Sequence, residues 1–262
     1  MHITATILGS GTSTGVPVIG CSCRVCISDE PKNKRLRASI LLDFPDLGKK
    51  LVVDTSPDFR QQMLREKVSN LDAILYTHTH ADHLHGFDDV RAFYFHDHKP
   101  LDVYGKKDDL EDIRTRFSYA FQNTGYSGVT PETILHPIEE GTFSIFDGRV
   151  EVEAFFLPHG AVLSTCFRIG KFAYATDFKS FPEHVISAWE GKIHTMIASG
   201  LHYKPHNTHS LVPETIKLFE RLKVKKGVVT HLSHQVDYRR PKIPLGGPFE
   251  YGYDGLSVSL DA

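Results

Sequence analysis

Apolar and polar positions along the chain follow two periods, and together they mark out a series of strands with helices between them. Ile3 to Leu8 alternates and is rich in β-branched residues, which predicts a strand. Ser39 to Phe44 and Lys50 to Asp54 flank the Pro45 to Lys49 turn and read as a hairpin. The apolar runs Ala73 to Tyr76 and Leu101 to Tyr104 predict two further short strands. From Thr142 the pattern is β again: Phe143 to Phe146, Val150 to Leu157, Thr165 to Ile169, a Gly170-Lys171 turn, then Phe172 to Asp177. Thr195 to Ala198 and Gly227 to His231 add two more strands. Helical spacing appears in five places. Ser56-Pro57 reads as N-cap and first helical residue ahead of Phe59, Met63, Leu64 and Val68. Phe87, Val90, Phe93 and Tyr94 predict a helix with Asp88 and Asp89 in its first turn, and Leu110 to Phe121 predicts another. The last two run from Phe181-Pro182-Glu183 through Trp189 and from Leu211 to Leu222. Asn123 to Gly141 has no readable period, and the Phe93 to Gly141 region has no assignable role.

Chemistry gathers where these strands end. Ala73 to Tyr76 runs into Thr77-His78-Thr79-His80-Ala81-Asp82-His83, so His78 and His80 emerge at a strand terminus while Asp82 and His83 occupy the turn beyond it. Imidazole and carboxylate suit zinc and related divalent ions, and H-x-H-x-D-H can serve two cations roughly 3.5–4 Å apart. A solvated histidine-rich loop is the plainer alternative, but polar groups packed this closely behind a buried strand are costly to desolvate without a partner. Three other strand ends carry the same residue types: His159 after Leu157-Pro158, Asp177 after the Phe172 strand, and His231 after Gly227-Val228-Val229-Thr230. That recurrence predicts convergence on one rim of a sheet sandwich.

Near the N-terminus, Gly9 to Pro17 lacks the G-K-[ST] ending of a phosphate-binding loop and reads as a glycine-permitted turn. Gly20-Cys21-Ser22-Cys23-Arg24-Val25-Cys26 supplies three thiolates, one ligand short of a closed tetrahedral zinc site. Sixteen histidines against four cysteines, three of them in this cluster, fit metal binding in a reducing compartment better than a disulfide framework. Composition otherwise mainly excludes. A net charge of −2 and a pI near 6.8 argue against a surface that is wholly a nucleic-acid clamp. No apolar run approaches the ~18 residues of a membrane span, and the N-terminus has no signal-peptide pattern, so the expectation is a cytoplasmic protein with no membrane partner. The basic segment Lys32 to Arg37 is expected to be a solvated loop.

The strand followed by H-x-H-x-D-H resembles the hallmark of the metallo-β-lactamase superfamily of hydrolases. That resemblance implies an αββα sandwich, two mixed sheets with outer helices, formed by one domain over residues 1–262. It also implies a ligand set: His78, His80 and His159 on one cation, Asp82, His83 and His231 on the other, with Asp177 bridging and Asp54 orienting the ligand turn. Two such cations, zinc or manganese, lower the pKa of a bridging water to about 7, giving a metal-bridging hydroxide that can attack phosphorus or a carbonyl. Within the superfamily, the C-x-C-x-x-C cluster, His231-Leu232-Ser233-His234 and Tyr253-Asp254-Gly255-Leu256 together resemble the PhnP family of phosphoribosyl cyclic phosphodiesterases. From that family come three further implications. Cys21, Cys23, Cys26 and His234 hold one structural zinc. Asp82 and His209 are the catalytic residues, His209 as phosphate contact or general acid. The substrate is a small phosphodiester, a cyclic ribose phosphate or nucleotide-like ester, and the protein is a homodimer. Nucleic acid is not expected as a partner, because a tRNA 3′-processing nuclease of the same superfamily needs a basic arm that this chain lacks. A glyoxalase-type thioesterase would need a C-terminal helical extension that is also missing. The remaining alternative is a PqqB-like protein of cofactor biosynthesis, acting by oxidation or binding.

Overall fold

The computed structural model describes residues 1–121 and 130–261. Among the described residues, two seven-stranded mixed sheets face each other. The first combines β1 (His2–Gly9), β2 (Ser39–Phe44), β3 (Lys49–Val53), β4 (Ala73–Leu75), β5 (Leu101–Lys106) and β6 (Thr133–Ile138). The second holds β7 (Gly141–Ile145), β8 (Val150–His159), β9 (Val162–Ile169), β10 (Phe172–Ala175), β11 (Thr195–Ser199), β12 (Lys226–Thr230) and β13 (Phe249–Tyr251), and the C-terminal β14 (Ser257–Asp261) returns to the first sheet. Spatial order is β14-β1-β2-β3-β4-β5-β6 in one sheet and β13-β12-β11-β10-β9-β8-β7 in the other. Each sheet is antiparallel through four strands and parallel through the rest, β3 to β6 and β10 to β13.

The central parallel strands β4, β10 and β11 are buried along their whole length because both of their faces are covered. The inner faces of the two sheets meet in one core, with Ile40, Leu42, Leu51, Val53 and Leu75 against Val152, Phe167, Tyr174, Ile197 and Val228. The helices are α1 (Phe59–Arg65), α2 (Ala81–Leu84), α3 (Arg91–Asp97), α4 (Lys107–Arg116), α5 (Ser118–Phe121), α6 (Glu183–Trp189) and α7 (Val212–Arg221). Phe59, Met63, Phe93, Leu110 and Ile113 close the outside of the first sheet, and Val185, Trp189, Val212 and Phe219 close the second. This is the αββα layering expected from the sequence.

Local departures have local causes. The N-cap of α1 is Asp58 rather than Ser56, whose hydroxyl accepts the Asp58 backbone N–H at 3.1 Å in a turn before the helix. The expected Phe87 helix begins as a 3-10 turn, Phe87–Val90, and becomes α-helical at Arg91. The single helix expected over 110–121 breaks at Phe117 (φ −111°, ψ 39°), which turns its ring onto Phe87 with centroids 4.9 Å apart. Part of the unreadable Asn123 to Gly141 stretch is β6, and the rest of it through 129 lies outside the described residues. The Lys32 to Arg37 segment is not a solvated loop. Arg35 is 2% exposed, with its guanidinium donating to Lys32 O, Asn33 Oδ1, Ser233 O and Val236 O at 2.8–3.2 Å. That side chain ties the N-terminal third to the loop after β12, and burial lowers its pKa to about 10. Asp254 braces the same region from the C-terminus, accepting from Ser10 N, Ser10 Oγ and Leu36 N at 2.7–2.8 Å.

Candidate metal centre

The rim where the chemistry collects follows from strand direction. β8 is antiparallel to β9, which is antiparallel to β10, so β8 runs the same way as β10, β11 and β12. His159, Asp177 and His231 therefore leave the second sheet at one edge. Asp177 and His231 each sit just past a strand end with left-handed backbone, φ 52° and φ 57°. Asp54, at the end of β3, does the same at φ 66°. Non-glycine residues rarely adopt this conformation, and its clustering at a polar rim is the pattern of a functional site. A backbone bond from Thr165 N to Thr77 O, 2.8 Å, fastens the two sheets together beside the turn after β4.

That turn is held from beneath. Asp54 is fully buried and accepts from Thr77 N (2.8 Å), Thr77 Oγ1 (2.8 Å) and His83 Nδ1 (2.7 Å). Because Thr77 spends its only hydroxyl proton on Asp54, its Oγ1 accepts from His78 Nδ1 at 3.0 Å. His159 Nδ1 donates to Thr208 O at 3.1 Å. In all three imidazoles the Nδ1 proton is committed outward, and Nε2 is left bare toward the rim. Gly86 closes the turn: its N–H donates to Thr55 O at 2.9 Å, and a Cβ there would lie 2.1 Å from Ser56 O. Gly160, at φ 63°, opens the two-residue Gly160-Ala161 turn between β8 and β9, and a Cβ there would crowd Thr208 Cγ2 at 2.8 Å.

The structure brings together every residue expected at the rim. Ligand atoms of His78, His80 and His159 lie within 4.8 Å of one another, as do those of Asp82, His83 and His231. Asp177 lies between the two groups: Oδ2 is 2.9 Å from His83 Nε2 and 3.2 Å from His231 Nε2, while Oδ1 is 3.2 Å from His209 Nδ1 and 3.8 Å from His159 Nε2. These approaches are close, yet His78 Nε2, His83 Nε2, His209 Nδ1 and both nitrogens of His231 are buried without hydrogen-bond geometry to any partner among the described residues. Buried polar atoms left in that state cost about 1–3 kcal/mol each. Convergent bare imidazole nitrogens around carboxylates are what divalent cations require, so the residues fit the metals that this fold implies.

The electrostatics are those of a strongly coupled cluster. Burial pushes His78 down, with His83 adding to it, and likewise depresses His159. Burial alone would lower His83, but Asp82, Asp177 and Asp54 outweigh it and push its pKa well above the usual range, a demand for positive charge at Nε2 that either a proton or a divalent cation would meet. Burial would also raise Asp82 and Asp177, and the surrounding histidines reverse both shifts. His209, foremost through burial and then through His231, is lowered to about 3.

A cavity of about 230 Å³ opens onto the rim, lined by Ser13, His80, Asp82, His159, Gly160, Asp177, Thr208 and His209 among others. Ser13 and Thr208 escaped the sequence reading, since neither has a spacing signal; Thr208 acts through its carbonyl, which side-chain identity does not reveal. Thr77 stood inside the quoted motif, where an adjacent hydroxyl was the available clue.

The second cluster assembles at the other end of the first loop. His234 Nδ1 is 3.3, 3.7 and 3.5 Å from the Sγ atoms of Cys21, Cys23 and Cys26. A tetrahedron with ordinary zinc bond lengths gives N···S separations of about 3.6 Å. Burial pushes the Cys26 thiol up to about 11, so its thiolate form needs a cation beside it.

Comparison with known proteins agrees with this architecture. A model described as a beta-lactamase superfamily domain matches residues 49–232. An octanoyltransferase of Porphyromonas gingivalis is 35% identical over 257 residues, 97% of this chain and 51% of that protein, so the chain spans about half the length of this relative. A crystal structure of a diphosphatase from the PhnP family is 32% identical and superposes with a TM-score of 0.89 over 99% of this chain and 98% of its own. Zinc-bound PqqB from Methylobacterium extorquens, 19% identical with a TM-score of 0.74 over 99% of this chain and all of its own, shares the fold. The chain belongs to the beta-lactamase superfamily and, within it, to the PhnP family, and it has the metallo-β-lactamase fold.

Proposed function

We propose that the protein is a metal-dependent phosphodiesterase acting on a small phosphodiester, of the cyclic ribose or nucleotide-like kind. The observation that carries this reading is the rim itself: seven side chains from four chain segments present ligand atoms in groups that lie within 4.8 Å of one another, with Asp177 central to them. In this reading His78, His80 and His159 hold one divalent cation, Asp82, His83 and His231 hold a second, and Asp177 serves both. When bound, such a pair supplies positive charge that acidifies water and neutralises charge developing on a phosphoryl group. Asp82 turns Oδ2 toward His83 at 3.2 Å and His231 at 3.8 Å, while its Oδ1 takes no hydrogen bond from a described residue and is free to orient a water. His209, on the cavity wall, contacts a phosphoryl oxygen. Cys21, Cys23, Cys26 and His234 hold a structural zinc and fix the loop they sit on. The small volume of the cavity supports a small substrate, and the name of the PhnP-family relative, a diphosphatase, supports attack on phosphorus.

The test is turnover by metal-reconstituted protein on ribose 1,2-cyclic phosphate, a nucleoside 2′,3′-cyclic phosphate, a linear aryl phosphodiester, a diphosphate diester, an octanoyl thioester and a precursor tRNA. The reading expects the small phosphodiesters to be cleaved much faster than the thioester or the tRNA. Cleavage of the thioester alone would move the protein to acyl chemistry, in line with the Porphyromonas relative's name, and silence on all phosphoesters with metal bound would favour oxidation or binding.

A further inference from the structure

The loop between β11 and α7 carries His202, His206 and His209, of which only His209 lines the rim cavity. Backbone bonds pin its ends: Gly200 N to Thr230 O at 2.9 Å, Leu201 N to Ser210 O at 3.0 Å, Ser210 N to Phe178 O at 2.6 Å and Val212 N to His202 O at 3.0 Å. Residues 203–209 make no backbone–backbone bond among the described residues, so the shape of this span is set through side chains. We propose that His206 is a positioning residue for the site: its Nδ1 clips Thr208, and so fixes both the carbonyl that orients His159 and the seat of His209. The inference rests on the phosphodiesterase reading and adds a residue to its machinery.

His206 Nδ1 is 3.3 Å from both Thr208 N and Thr208 Oγ1. A backbone amide can only donate, so Nδ1 is the accepting nitrogen and the ring carries its proton on Nε2. An acceptor that reaches the amide two residues on makes the turn that Asn and Asp side chains commonly make. His202 repeats the device, accepting from Lys204 N at 3.3 Å. The clipped residue does two things at the rim. Thr208 O accepts His159 Nδ1 at 3.1 Å, and Thr208 Cγ2 fills the space that a Cβ on Gly160 would take. The His206 ring also packs on His209, centroids 4.9 Å apart, and His209 in turn lies against His159 at 4.7 Å and His231 at 5.2 Å. Lys179 Nζ adds a tether at His209 O, 3.4 Å, from the opposite side of the loop. His206 is half-buried and lines neither the cavity nor a cation position, yet both residues it holds, Thr208 and His209, do line the cavity. Its influence on the chemistry therefore passes through them.

The experiment compares His206→Asn, His206→Gln and His206→Ala with wild type, each reconstituted with zinc. Asn can set its Oδ1 where Nδ1 stands, Gln carries its amide one bond further out, and Ala offers no acceptor. His206→Gln and His206→Ala are expected to lower kcat on adenosine 2′,3′-cyclic phosphate about 10–100-fold with KM little changed, and to weaken catalytic zinc affinity in a chelator titration. His206→Asn keeps most of both. Undiminished kcat and zinc affinity in His206→Ala, or an Asn variant that falls as far as Gln and Ala, overturns the clip. So does a loss of kcat that follows melting temperature alike in all three variants. A reading on wild type is independent of how the variants fold: long-range ¹H–¹⁵N spectra of the zinc-loaded protein are expected to show His206 protonated at Nε2 and bare at Nδ1, and the opposite tautomer contradicts the proposal. If wild type cleaves neither this compound nor an aryl phosphodiester, it is the phosphodiesterase reading that fails, while zinc affinity and the tautomer still decide for or against the clip.

Discussion

Asp54 contacts no proposed cation position, yet its two oxygens accept three hydrogen bonds that fix Thr77, His83 and, through Thr77, His78. Asn at this site keeps the shape but sets an amide N–H against the His83 Nδ1–H or the Thr77 donors. Asp54→Asn is therefore expected to weaken catalytic metal affinity about 10–100-fold, measured by competition with a chromogenic chelator; unchanged affinity would show that the imidazoles are oriented by something else. In the proposed reaction His209, which burial holds neutral 3.2 Å from Asp177, would serve as an N–H donor. His209→Ala should then lower kcat at least ~100-fold with metal content retained, by similar factors for alkyl and aryl leaving groups. A much larger loss on alkyl esters would show that it arrives protonated and acts as an acid. At this scale the sequence was informative wherever identity alone carries the chemistry, as in His78, His80, Asp82 and His83. It was silent on Thr208, which works through a backbone carbonyl, and on the left-handed backbone of Asp177 and His231, which no residue type announces.

Among the elements, those that position the site were the easiest to read. β4, β8, β10 and β12 are buried on both faces or alternate strongly, and each ends at or near a polar residue out of keeping with the run before it. The missed strands lie at or beside sheet edges: β6 carries Pro137 and exposes Ile134, β13 has three residues, and β14 alternates in a signal only five residues long. The basic segment before β2 was misread because charge pattern cannot tell a solvated arginine from a buried one that makes four hydrogen bonds to carbonyl oxygens, as Arg35 does. With the cysteine cluster, that segment forms a brace between the first loop and the loop after β12. Cys23→Ser is expected to remove one zinc per chain and lower the melting temperature while leaving most turnover on a small aryl phosphodiester. An unchanged zinc count would show that the cluster is a set of free thiols.

For the whole molecule, the decisive arrangement is two sheets whose strand directions deliver ligands to a common rim. The order of strands within each sheet follows their order along the chain except for β14, which pairs with β1, but the pairing of one sheet with the other is made by a core of aliphatic and aromatic residues from both halves, and no period along the chain encodes it. For the same reason the cavity between the first loop and the metal turn was not legible: Ser13 and Ile19 on that loop meet Arg37, Pro57 and Asp82 only once the chain has folded. Among the described residues, no helix is long and apolar enough to cross a membrane. The claim on which the rest depends is that the rim is a two-cation centre separate from the cysteine cluster. Metal content per chain, measured by mass spectrometry after reconstitution and gel filtration in wild type and Asp177→Ala, tests it most directly. The account predicts three cations in wild type and one, zinc, in the variant, with turnover lost and the fold kept. Asp177→Ala retaining all three cations, or wild type binding a single cation at the cysteines, would contradict it.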